Sequence, residues 1–219
     1  ILQAILRNPL ADPHIIGISS GAGLAGIFIM LMMPGVAWLI TPAAFGGAML
    51  AALLIYILAW RDGIRPTRII LAGVAVSAFL CAGISAMMIL YSDLVHSALM
   101  WMVGGLSARS WPHVEMLLPY TAAAGLLALL AAQRLNILQL GDDMARGIGL
   151  AVERTRILLT AVAALLAASA VSVVGLLGFV GLIVPHAARL MIGSDYRLLL
   201  PAAALLGIAV LTLSDTAER

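Results

Sequence analysis

The chain has 219 residues, of which 63% are hydrophobic and 10% charged, and its mean hydropathy is +1.13. No soluble domain of this length has that composition, so the chain is expected to be an all-α polytopic membrane protein. The net charge of +2 is too small to suggest nucleic acid, and all basic charge is arginine.

In chain order, residues 1–6 are apolar and look like the tail of a helix. The chain opens on Ile1, without methionine or a leader pattern, and is expected to be truncated at both ends. Residues 7–13, RNPLADP, break the helix, because two prolines and an Asn cannot continue it. No charged side chain occurs from Ile15 to Trp60. That run is too long for one span of about 20 residues, and Pro34-Gly35 divides it into 14–33 and 37–60. Gly17, Gly21, Ala22, Gly23 and Gly26 suit close helix packing. Ser19 and Ser20 are candidates to face a passage.

The polar break 61–68 precedes a span at 69–92. Cys81 lies within that span and reads as a small buried residue. Residues 93–113 contain HSALMWMVGGL, too short to cross, so a half-helix with Trp101 and Trp111 at the interface is expected. Further spans follow at 115–132 and 157–174. A short helix near 179–192 and a last span at 198–213 complete about seven crossings.

The long polar interruption is 133–156, QRLNILQLGDDMARGIGLAVERTR. Asp142 and Asp143 stand where an N-cap belongs, and Gly147 and Gly149 where a short helix stops. Leu140, Met144 and Ile148 recur every fourth residue and share a face. Such a helix either docks on a protein or lies on lipid. Small residues Ala145, Gly147 and Gly149 favour close protein contact. The breaks on the side of 133–156 hold ten of the twelve arginines, all but Arg109 and Arg219, which makes that face cytoplasmic.

No acidic or basic residue sits mid-span, which disfavours ion coupling. A P-loop needs a lysine, and this chain has none. His14, His96, His113 and His186 are dispersed at span ends, without metal-ligand spacing, and read as solvated. The methionines read as core packing. The residues therefore suggest a permease driven by another protein. An ion-coupled secondary carrier and a non-transporting membrane scaffold remain as alternatives.

RNPLADPHIIGISSGAG, LQLGDDMARGIGL and GFVGLIVPHAARLMIGSDYRLLLPAAALLG, with the closing SDTAER, resemble the permease family of bacterial ABC importers for iron-siderophores, haem and cobalamin. The resemblance covers nearly all the chain and implies one transmembrane permease domain over 1–219, cut from a ten-helix subunit. It implies that 133–156 is the cytoplasmic coupling element, with Leu140, Gly141, Asp142, Ala145, Gly147 and Gly149 meeting the ATPase. Arg65-Pro66-Thr67 matches a gate segment, with Pro66 where a small hydroxyl residue can stand; Pro66 and Thr67 are gate candidates. Arg219 matches a residue that docks the binding protein. The implied partners are cytoplasmic ABC ATPase subunits, a periplasmic or lipid-anchored binding protein, a second permease subunit in a homo- or heterodimer, and lipid. The chain itself would hold no cofactor or metal, with ATP-Mg in the ATPase. The implied location is the bacterial inner membrane, and the first expected substrate is an iron-siderophore.

Overall fold

A computed structural model describes residues 1–14, 16–60, 66–92, 95–106 and 109–218. The described elements are helical throughout. After the short α1 (Leu2–Ile5) come α2 (Ile18–Met32), a 3-10 turn (Pro34–Leu39), α3 (Ile40–Ala59) and α4 (Pro66–Leu90). Then follow α5 (Val95–Val103), α6 (Trp111–Leu130), α7 (Ala132–Gln139) and α8 (Asp142–Gly147). The series ends with α9 (Val152–Val174), α10 (Val180–Ile192) and α11 (Tyr196–Glu218). Five helical stretches, containing α3, α4, α6, α9 and α11, are long and apolar enough to cross a membrane, while α2 and α10 are shorter apolar helices. The two classes together account for the seven crossings expected from hydropathy. The protein is a multi-pass, all-α membrane protein.

Helix α9 is the centre of the packing. Half of its most apolar window is buried, against 6–28% for the other four long stretches. Many of its inward residues are small: Ala163, Ala164, Ala167, Ala168, Ser169 and Ser172 are all buried. Lipid tails are as apolar as Leu, so small side chains hold such helices together by letting backbones approach. Three apolar clusters result, the smallest joining Ala124 and Ala128 of α6 to Val162 of α9. Of the larger two, one gathers α1, α7 and α8 with the adjoining ends of α3, α4, α9, α10 and α11. The other joins α2, α5 and the remaining parts of α3, α4 and α9.

The two short helices fall short of a hydrocarbon core in length. At 15 and 13 residues, α2 and α10 rise about 22 and 20 Å at about 1.5 Å per residue. A hydrocarbon core is about 30 Å thick. Gly17 precedes α2 at φ 89 and Phe179 precedes α10 at φ 63, so each chain turns sharply into its helix. Gly175, at φ 82, closes α9 where an added Cβ would strike the Trp101 carbonyl oxygen.

Several expectations need correction. Trp101 is not at an interface: it is buried, and its ring lies 3.1 Å from where a Cβ on Gly26 would stand. The half-helix α5 turns that ring inward onto α2. Cys81 is exposed, not buried, because α4 lies at the edge of the bundle with little of its surface covered. His14 is half-buried with Nε2 enclosed, unlike the exposed His96 and His186. The span expected to begin near 157 begins earlier, at Val152, so Glu153, Arg154 and Arg156 belong to the first turns of α9.

The arginine bias gives a direct test of orientation. In a Cys81→Ser background, Arg109→Cys should react with an impermeant maleimide on intact cells, and Arg146→Cys should be protected. The reverse labelling pattern would invert the topology. Removing Cys81 is necessary because the native thiol is exposed.

Candidate docking site

The polar face carries α8, a six-residue helix. So short a helix is not stable by itself and must be held by its surroundings. Its N-terminus is where the structure departs from the sequence expectation. Gly141, at φ 103, is the N-cap, and Asp142 is the first helical residue. The Asp142 carboxylate is taken by arginines instead. Arg156 Nη2 donates to Oδ1 at 2.9 Å and Nη1 to Oδ2 at 3.3 Å. Arg7 Nη2 stands 3.4 Å from the same Oδ1.

The Arg156 side chain is only 1% exposed. A two-pronged guanidinium–carboxylate contact fixes orientation as well as distance. It therefore clamps the start of α8 onto the first turns of α9. Burial raises the Asp142 pKa, but hydrogen bonding to Arg156 and the charges of Arg156, Arg7 and Arg146 outweigh it and hold the group below its ordinary 3.8.

The C-terminus matches its sequence signal. Leu150 N–H donates to the Ala145 carbonyl at 2.9 Å, and Gly149 N–H to the Arg146 carbonyl at 2.9 Å. This is the paired bond of a glycine-terminated helix, with Gly149 at φ 86. Leu140, Met144 and Ile148 are 59%, 63% and 61% exposed, so the apolar face points outward. Ala145 differs from its neighbours. It is fully buried and seats α8 in the core rather than meeting a partner by its own side chain. Around Gly147 and Gly149 an added Cβ would meet nothing within 4 Å.

A second brace lies beside α8. Asn136 Nδ2 donates to Asp195 Oδ1 at 2.6 Å, and Asn136 Oδ1 accepts from Tyr196 N–H at 2.9 Å. This ties α7 to the start of α11. Backbone N–H of Arg197 and the Asn136 amide lower the Asp195 pKa. The surface that results is braced by hydrogen bonds underneath and exposes Leu140, Met144 and Ile148 on top.

The FecCD transport family profile matches residues 1–219. The chain belongs to the FecCD transport family. Its relatives include the cobalamin import system permease protein BtuC of Halobacterium salinarum, 41% identical over 220 residues, all of this chain and 60% of the relative. The Fe(3+)-citrate import system permease protein YfmE of Bacillus subtilis is 39% identical over all of this chain and 66% of its own length. This FecCD chain thus spans less than two thirds of those two relatives. A solved metal-chelate type ABC transporter in an inward-facing conformation superposes with a TM-score of 0.90 at 26% identity, over 99% of this chain and 70% of that one.

The remaining candidates of this FecCD chain lie elsewhere. Ser19 and Ser20 are buried in the chain rather than facing open space. Ser20 Oγ lies 2.8 Å from Ser77 Oγ and 3.6 Å from Cys81 Sγ, so it joins α2 to α4. Pro66 begins α4, and Thr67 is exposed in its first turn. Arg65 and Arg219 lie outside the described residues. The sequence reading missed Arg156, Arg7 and Asn136. The only sequence signal of Arg156 and Asn136 was polar character beside α8, and that of Arg7 was its place in the polar break 7–13; their partners are fixed by the fold.

Proposed function

We propose that the chain is the membrane-spanning permease subunit of an ATP-driven importer of iron-siderophore complexes, with haem or cobalamin as the other chelate classes. Residues 1–219 form one permease domain, and 133–156 is its cytoplasmic coupling element. ATP-Mg is held by cytoplasmic ABC ATPase subunits. A periplasmic or lipid-anchored binding protein delivers the substrate, and a second permease subunit completes the passage in the bacterial inner membrane. Translocation proceeds by alternating access, with Pro66 and Thr67 at the inner gate and Arg219 at the binding-protein contact. Names of the relatives support the chelate class.

The observation that carries this reading is the exposed Leu140, Met144 and Ile148 face on a helix clamped by Arg156. A rigid apolar knob suits a protein cleft, and an arginine-clamped base can transmit force. Gly147 supplies the test, because the space around it is open. Gly147→Trp should leave the chain's own thermal stability within a few degrees of the native value. It should weaken ATPase association at least about tenfold, which is about 1.4 kcal/mol, and uptake should fall with it. Gly147→Ala serves as the control for glycine's backbone freedom. Normal ATPase binding and uptake by Gly147→Trp would remove α8 from the coupling role. Uptake that persists without ATP and collapses with an ionophore would favour the ion-coupled carrier.

A further inference from the structure

Residues 3–12 touch both α8 and α10. Gln3 Oε1 accepts from Arg189 Nη2 of α10 at 3.0 Å. Four residues later Arg7 reaches Asp142 of α8. Five residues beyond that, Asp12 is buried at 5% exposure, and its Oδ1 accepts from His14 N–H at 2.8 Å. The other oxygen, Oδ2, lies 2.5 Å from where a Cβ on Gly181 would stand. Gly181 is in the first turn of α10. The carboxylate occupies the room that any side chain at 181 would need.

Asp12 is also deep. Gly181 stands eleven residues before Ile192, the end of α10, or about 16 Å along the helix. That is about half of a 30 Å hydrocarbon core. The sequence shows no acid mid-span, yet the fold sets Asp12, on the loop before α2, against the first turn of the apolar helix α10. A carboxylate there is costly unless something stabilises it. In the first turn of α10, Val180, Leu182 and Ile183 N–H donate to the Gly178 and Phe179 carbonyls, and the helix dipole puts its positive end there.

We propose that Asp12 is the positioning residue that fixes the inner end of α10, and that the segment from Gln3 to Asp12 is a strap carrying movement of α8 to α10. This rests on the reading of α8 as the ATPase contact. Because α10 begins directly after a left-handed Phe179, its first turn has no other covalent anchor than the 175–179 turn. The strap holds that end by shape at Gly181, and the outer end by the Arg189–Gln3 bond.

The test uses the full complex with its ATPase, reconstituted in liposomes, in a Cys81→Ser background. Ile183→Cys, on the exposed side of the first turn of α10, carries a nitroxide. Its spectrum is compared without nucleotide and after trapping with ATP and vanadate. The unmodified strap should give a nucleotide-dependent change at 183. Asp12→Ala and Gly181→Ala should reduce that change per assembled complex at least about fivefold, and Asp12→Asn, which keeps the shape, should retain most of it. Arg7→Gln cuts the strap at a 40% exposed side chain and leaves the Arg156–Asp142 clamp in place. It should also abolish the change, and it keeps the test decisive if the buried variants fail to assemble. A native change in Arg7→Gln, or in assembled Asp12→Ala, overturns the strap. So does a bound ATPase with no change at 183 in the unmodified chain. Failure of any ATPase to bind overturns the docking role of α8 instead.

Discussion

Gly47→Ala is expected to lower the melting temperature by roughly 6–12 °C, whereas Gly46→Ala, one residue away, is expected to be harmless. The difference lies in what each added methyl would meet. At Gly47 it would meet the Gly21 carbonyl oxygen, with Ala25 Cβ at 2.6 Å. The contact is reciprocal, because a methyl at Gly21 would meet the Gly47 carbonyl oxygen, with Ala51 Cβ at 2.5 Å. Backbone lies on both sides, so no side chain can swing away, and α2 and α3 would have to separate. Overpacking costs typically 1–3 kcal/mol and sometimes more. Here about 3 kcal/mol is reasonable, which lowers the melting temperature of a chain this size by roughly 6–12 °C. At Gly46 nothing lies within 4 Å. Alanine there reduces backbone entropy in the unfolded chain and should stabilise the helix by about 0.5–1 kcal/mol. Thermal unfolding of both variants in detergent checks this, and equal melting temperatures would mean that α2 and α3 are not in backbone contact.

That pair of neighbours also shows what the sequence could and could not reveal. GISSGAGLAG and FGGAML both display small residues, and helix packing was legible from them. Which of Gly46 and Gly47 faces α2 was not. A helix that is apolar all round has no polar side to declare its outer face. The same cause explains Trp101 and Cys81: their types suit either environment, and only the packing of α5 and α4 decides. Span limits were legible because proline, glycine and arginine interrupt hydropathy visibly. At α8 the C-terminus was legible, since Gly149 is required locally by its left-handed turn. The N-terminus was not, because Asp142 answers to Arg156, fourteen residues on, and to Arg7 from the far end of the chain. Asp12 was seen as part of a polar break, and its depth depends on α10 folding back beside it.

Asp142→Ala should release α8 from the bundle. The substitution takes a two-pronged carboxylate from a guanidinium that is 1% exposed and stays charged. Breaking a buried pair from one side costs about 3–5 kcal/mol, or roughly 6–20 °C of melting temperature. Arg156→Met should cost less, because it leaves Asp142 near Arg7 and 22% exposed to water. Trypsin provides a local readout. Arg146 should be cut faster in Asp142→Ala below its melting temperature, because α8 cannot stay helical unheld. The pH dependence has a fixed sign. The folded-state pKa of Asp142 is lowered, so its stabilising contribution is fully present above the ordinary 3.8 and is lost as pH falls through the folded value. Between pH 5 and 8 the difference in stability between native chain and Asp142→Ala should therefore be flat, and it should shrink only in acid below about pH 4. A difference that already shrinks between pH 7 and 5 would show that a group other than this carboxylate holds α8 down.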